Sequence, residues 1–385
     1  FTCMQSQQAE YSFRGHILAL DGLRGLAIAM VMVAHFIFRS LFSAESTYRV
    51  VQGGWLGVDL FFVLSGFLIT GILSDAKTRH ADDYWPRFYS RRLLRIFPLY
   101  YFSVLVVWLT VIFVEHAPER LSGYDSFGWF FGFAPNIAIA LKGDWLYHSH
   151  IFSLNHLWSV AVEEQFYLVW PFVVLMLPQR WLLVLCALLV HFSVDLRHWA
   201  DTEFDGHGGW TLASYMLPFC RMDGLASGAF IAVLLRLGWQ RYIPYDRWIV
   251  RILLVWTGWR MVDAVANGST QYLGTLSALT FACMLYLALN PHPHALIRRV
   301  CEWRLLVHLG KYSYGLYIFH EMFKISWESA FGHRLLNSGW PPAAIQLTYI
   351  LLASAGSYAL ARLSWALIEG PFLKMKEAQK TKAAG

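Results

Sequence analysis

Residues 20–36 read LDGLRGLAIAMVMVAHF, and this stretch decides the fold class. It is apolar enough for a membrane helix, yet it carries Asp21, Arg24 and His35. Arg24 and His35 are eleven residues apart, so at about 100° per residue they return to nearly the same helix face. Along the axis they are separated by about 16 Å. A guanidinium and an imidazole on one stripe are costly in lipid and are tolerated beside a water-filled or protein-lined cavity. The stretch therefore predicts a helix that does chemistry inside a membrane.

Composition points the same way. The 385 residues are 57% hydrophobic and 15% charged, where soluble domains carry roughly 25% charged residues. Eighteen Trp and nineteen Tyr suit aromatic belts at two membrane–water interfaces. The net charge of +6 is explained by basic residues that sort by membrane side, so no nucleic-acid partner is expected. Five cysteines, Cys3, Cys186, Cys220, Cys283 and Cys301, are odd in number and lack CxxC spacing. That argues against a disulfide framework and a zinc site, and no metal is expected. Residues 1–13 read as a tag or disordered terminus, 14–372 as one transmembrane domain, and 373–385 as a basic cytoplasmic tail. No cleavable signal peptide is visible.

Apolar windows of membrane length give ten expected spans, near 17–38, 55–74, 97–114, 157–177, 181–196, 213–235, 248–266, 272–289, 309–327 and 342–367. If the N-terminus is cytoplasmic, the inner segments gather most loop cations, among them Arg87, Arg91, Arg92 and Arg95, then Arg298, Arg299, Arg304 and Lys311. The outer segments hold only Arg39, Arg49, Arg120, Lys142, Arg197, Arg260 and Arg334. The positive-inside rule then favours both termini inside. The expectation is an all-α, multi-pass protein of the plasma (inner) membrane. The apolar stretch 127–141 is interrupted by Gly132 and Pro135 and reads as a re-entrant or interfacial segment. The outer segment 115–156 holds Asp125, Asp144, His148 and His150, which suit a substrate entrance or an ordinary solvated loop.

Three polar clusters carry the chemistry. In the first, His35 is the side chain suited to accept and return a proton near neutral pH, with a histidine satisfied by a neighbouring helix as the structural alternative. In the second, YWPRFYSRRLLRIFPLYY at 84–101, a helix presents Arg91, Arg92 and Arg95 as a fork. Such forks bind phosphates, and they also serve as inner-side stop signals or contacts to anionic lipid. In the third, NHLWSVAVEEQFYLVWP at 155–171, Glu163 and Glu164 lie two turns into a span entering from the outside. Counting rises along the helices puts them at the depth of His35, where a carboxylate would fix its tautomer. A structural polar cluster is the alternative there, and His156 reads as a substrate contact or an interface residue. Asp59 and Ser65 in the glycine-containing helix at 53–71 are supporting polar groups. Arg221 and Asp223 are expected to pair with other helices, and His320, Glu321, Lys324 and Glu369 to serve packing and ion pairing.

Together these segments resemble the acyltransferase-3 family of integral-membrane acyltransferases. The pieces are LDGLRG with its Arg24-x10-His35 spacing, GVDLFFVLSGFLI, FYSRRLLRIFPLYY, HLWSVAVEEQFYLVWP, YSYGLYIFH and the closing EGPF. They stand in family order from residue 18 to about residue 372. The resemblance implies transfer of an acyl group, most often acetyl, from cytoplasmic acyl-CoA to a hydroxyl of a glycan or small molecule. It implies His35 as the catalytic histidine, Arg24 in the same motif, Arg92-x-x-Arg95 for the CoA phosphates, and Glu163 and Glu164 as the family's acids. Acyl-CoA is then a co-substrate and no cofactor is permanently bound. A homo-oligomer is compatible with the sequence. The reading from another class is a transporter or flippase using the same Arg, His and Glu as a proton relay, although no inverted repeat is visible.

Overall fold

The stretch that carries Arg24 and His35 folds as one helix, α1 (Leu18–His35). Asp21 sits in its first turn, where a carboxylate complements the helix dipole. The far end is tied down by Gln346, whose amide donates to the Phe36 carbonyl at 2.7 Å and accepts from the Phe38 N–H at 2.9 Å. The structure, a computed structural model, describes residues 16–79, 83–115, 126–146, 151–205, 211–243, 245–269, 272–289 and 295–375. The expected terminal segment 1–13, Arg120, Asp125, His148, His150 and the tail from 376 onward lie outside the described residues, as do the side chains of Arg79 and Arg87.

Helices account for nearly all of the rest. They are α2 (Glu45–Gln52), α3 (Gly57–Arg79), α4 (Tyr84–Thr110), α5 (Phe127–Phe131), α6 (Pro135–Lys142), α7 (Leu157–Met176), α8 (Gln179–Asp205) and α9 (Leu212–Met216). Then come α10 (Met222–Leu237), α11 (Asp246–Asn267), α12 (Leu273–Ala288), α13 (Leu296–Cys301), α14 (Arg304–Lys311), α15 (Ser313–Met322), α16 (Lys324–Trp327), α17 (His333–Leu336) and α18 (Pro342–Ser364). Among the described residues there is no strand. The chain is an all-α, polytopic membrane protein.

Seven helices among the described residues are long and apolar enough to cross a membrane, and the apolar α12 is shorter. The expected span at 248–266 is one continuous helix, but Asp246, Arg247, Arg251, Arg260 and Asp263 keep its composition mixed. The expected span at 309–327 is three helices in series. Its backbone leaves helical geometry at Tyr312 (ψ 8°) and again at Phe323 (ψ 8°). Such breaks are tolerated at membrane depth only where protein or a cavity supplies partners, and α15 is mostly buried. The stretch at 127–141 forms two short helices, α5 and α6, joined through Phe133 at φ 52°.

Backbone-to-backbone contacts at glycine hold the bundle together. α1 lies against α14 and α3 against α10. A Cβ on Gly25 would stand 1.9 Å from the Leu306 carbonyl oxygen, and one on Gly228 would stand 1.8 Å from that of Val63. Small residues at such crossings let membrane helices approach closely. Outward faces carry exposed apolar side chains such as Leu188, Phe192, Leu347, Leu351 and Leu363, the surface lipid requires. Gly228→Val is expected to cost at least about 3 kcal/mol, the upper range of overpacking, because the neighbour is backbone and cannot swing away. Thermal unfolding of the detergent-solubilised variant checks this, and a wild-type midpoint would refute it.

Candidate active site

The polar groups of the bundle line three adjoining cavities. The first, of about 640 Å³, opens around His35 and includes His156, Tyr317, Glu321 and Lys324 in its lining. The second, of only about 110 Å³, is lined by Arg24, Arg92, Arg95, Ser65, Glu163 and Tyr317, among others. The third, of about 970 Å³, is bordered by Arg24, Arg95, Arg304, His308, Lys311 and Lys374. Val58 and Tyr317 belong to both the first and the second. Arg24, Arg95, Ser313 and Tyr314 belong to both the second and the third. The stripe on α1 therefore runs from a basic chamber, past a narrow waist, to a histidine chamber.

Backbone acceptors set the tautomers in the histidine chamber. His35 Nδ1 lies 3.0 Å from the Val31 carbonyl oxygen, and His320 Nδ1 lies 2.7 Å from that of Tyr317. A carbonyl can only accept, so each Nδ1 carries the proton and each Nε2 keeps its lone pair. His320 Nε2 then faces His35 Nδ1–H at 3.3 Å. The basic His35 Nε2 is 4.0 Å from Glu321 Oε2, an oxygen that lacks a hydrogen-bond partner among the described residues. His156 stands beside them, its ring 5.8 Å from that of His320 and 5.4 Å from that of Tyr317. One ligand atom each from His35, His320 and Glu321 fall within 4.8 Å of one another, a spread compatible with a divalent cation as well as with proton transfer.

The carboxylate beside His35 is thus Glu321, which corrects the expectation that Glu163 or Glu164 would fill that place. The reason is helical rise. His156, just before α7, is already level with the histidines, so Glu163 lies seven residues, about 10 Å, further along the axis. There Glu163 accepts hydrogen bonds from Ser65 and from Tyr167, each at 2.9 Å. Arg92 lies over the Tyr167 ring, 5.5 Å from its centroid. Glu164 stands next to it on α7, outside the waist lining, with a buried Oε1 that has no partner among the described residues.

The remaining expected residues sort as follows. Arg24 donates to Asp21 at 3.0 Å, which gives Asp21 its partner. Arg92 and Arg95 face the waist, whereas Arg91 is half-buried on α4 outside its lining. Asp59 is buried and pairs with Arg221 while accepting from Ser277. Asp223 pairs with Arg197 at 2.7 Å, so Arg221 and Asp223 do pair with other helices.

His320 and Glu321, expected to serve packing and ion pairing, instead stand beside His35, and Tyr317 of the segment YSYGLYIFH lines both the waist and the His35 chamber. Arg304 and Lys311, expected as inner-side cations, both line the basic chamber, since seven residues apart on a helix places them on one face.

Helices fit for lipid, with a histidine–carboxylate cluster joined through a narrow waist to a basic chamber, have the layout of a membrane-embedded group-transfer enzyme. The chain belongs to the acyltransferase-3 family, whose acyltransferase domain matches residues 17–362. It is 27% identical to the O-acetyltransferase OatA of Staphylococcus aureus, over 93% of this chain and 57% of that protein. It is 26% identical to the peptidoglycan O-acetyltransferase OatA of Listeria monocytogenes, over 94% of this chain and 56% of that one. It is 27% identical to YrhL of Bacillus subtilis, over 79% of this chain and 48% of that one. The chain thus spans about half the length of the curated relatives it matches. No solved structure matches it.

Proposed function

We propose that this protein moves an acetyl group from cytoplasmic acetyl-CoA to a hydroxyl of an envelope glycan, with both of its termini in the cytoplasm and His35 as general base. One observation supports this reading: Tyr317 and Val58 line both the waist and the His35 chamber, so the two cavities adjoin along the line a thin chain would follow from the basic side to the histidine. Phosphates are too strongly hydrated to enter lipid, so the nucleotide end of CoA stays in the basic chamber against Arg95, Arg304 and Lys311. The pantetheine arm occupies the waist. His35 Nε2 takes the proton of the acceptor hydroxyl as its oxygen attacks the thioester carbonyl. The carbon–sulfur bond then breaks and the CoA thiolate leaves with that proton, which the imidazolium returns. Glu321 steadies the imidazolium while it lasts. Peptidoglycan is the favoured acceptor, because the Listeria relative bears that activity in its name.

The transporter reading separates cleanly. Purified protein given radiolabelled acetyl-CoA and a glycan should label the glycan, whereas a flippase leaves the thioester intact. In the same assay, Arg92→Ala and Arg95→Ala should each raise KM for acetyl-CoA by ten- to a hundred-fold. That follows from about 1.5–3 kcal/mol for a hydrogen bond to a charged group. An unchanged KM in both variants would remove the waist from the donor's path.

A further inference from the structure

The His35 chamber has an aromatic wall that neither proton transfer nor donor binding uses. Trp55 and Tyr215 meet edge to face, with ring centroids 5.2 Å apart at 82°. Tyr215 also meets Trp158 at 4.8 Å, and the Arg221 guanidinium lies 5.0 Å from the Tyr215 centroid. All four line the chamber. Trp158 and Arg221 are buried, but Trp55 and Tyr215 are only half-buried and keep ring surface toward the cavity. We propose that Trp55 and Tyr215, backed by Trp158 and Arg221, form a two-walled aromatic platform in which a pyranose ring of the acceptor lies face-on to one ring and edge-on to the other while His35 works on its hydroxyl.

The physics favours a sugar over an acyl chain or an aromatic ligand. Aromatic faces carry negative potential, and the axial C–H bonds of a pyranose present a weakly positive apolar face to match. The rim of that face carries hydroxyls and, in an N-acetylated sugar, an acetamido group, and needs polar partners around it. The chamber supplies them in Gln52, Asn155 and His156. His156 is 6% exposed, and neither of its ring nitrogens has a hydrogen-bond partner among the described residues. Buried polar atoms are seldom left so, and a ligand hydroxyl would satisfy one. Arg221, held by Asp59, fixes the ring plane of Tyr215 from behind and is a positioning residue.

This assignment rests on the His35 chamber being the acceptor side, so its test reads binding separately from transfer. Full-length protein in lipid nanodiscs is titrated with chitotetraose by ligand-observed NMR, and acetyl-CoA binding is measured on the same preparations to verify folding. Trp55→Ala should weaken chitotetraose binding tenfold or more, Tyr215→Leu should do the same, and Trp55→Phe should restore it to within threefold. Wild-type affinity in both Trp55→Ala and Tyr215→Leu would overturn the platform, as would absence of chitotetraose binding to the wild type. Sugar binding that obeys this pattern without any acetyl transfer would uphold the platform and refute the proposed reaction.

Discussion

His35→Ala is expected to lower acetyl transfer on the order of 10³-fold, the middle of the range for losing a positioned acid–base group, while acetyl-CoA still binds. The expectation follows from how little freedom the imidazole has. Val31 holds its Nδ1–H, and His320 backs it from the side away from the free nitrogen. Only Nε2 can take a proton, and it has one carboxylate, Glu321, within 4.0 Å. Among the described residues, His320 Nε2 faces His35 and Lys324 has no lone pair while charged, and His35 is the chamber histidine whose free nitrogen lies within 4.0 Å of Glu321. Steady-state transfer to a glycan, with acetyl-CoA affinity measured alongside, decides it. Full activity would remove His35 from the chemistry, and activity lost together with CoA binding would make its role structural.

Asp59→Ala is expected to destabilise the protein by about 3–5 kcal/mol, the cost of leaving a buried charge without its partner. The side chains of Asp59 and Arg221 are 2% and 4% exposed, so water cannot replace the missing carboxylate. Ser277 would lose its acceptor as well. The double variant Asp59→Leu with Arg221→Met should recover most of the loss, since an apolar pair of similar volume is often as stable as a buried ion pair. Unfolding midpoints in a denaturing-detergent titration test both. A single variant as stable as the wild type would mean that the pair adds nothing. A double variant no better than the single would mean that the charge left behind on Arg221 is not the cause.

Much of this was legible in residue order. The Arg24–His35 stripe is a matter of period and rise, and the structure sets its two ends in different chambers. That Arg221 and Asp223 pair with other helices and not with each other was also legible, because two ionised groups two residues apart on a helix point to different neighbours. The depth of Glu163 was misread because depth along a helix depends on where the helix starts. His156, which marks that start, gave no signal until its contacts with His320 were known. The breaks at Tyr312 and Phe323 were invisible for a related reason: an apolar window measures composition, and neither residue is a glycine or a proline. They bound α15, on which Tyr317 and Glu321 line the cavities and buried His320 lies against His35, a tertiary arrangement that no local propensity encodes.

The waist of about 110 Å³ has a consequence for the energised cell. The two larger cavities flank the small one around Tyr317, so in a membrane with water in both, most of the potential would fall across that short stretch. A column of water there would conduct, and each ion crossing would dissipate about 2.3 kcal/mol per 100 mV. Tyr317, held by Ser159 at 2.6 Å and by the His156 carbonyl at 3.2 Å, is the side chain that would interrupt such a column. A passage wide enough for faster substrate traffic would short-circuit the membrane in which it sits.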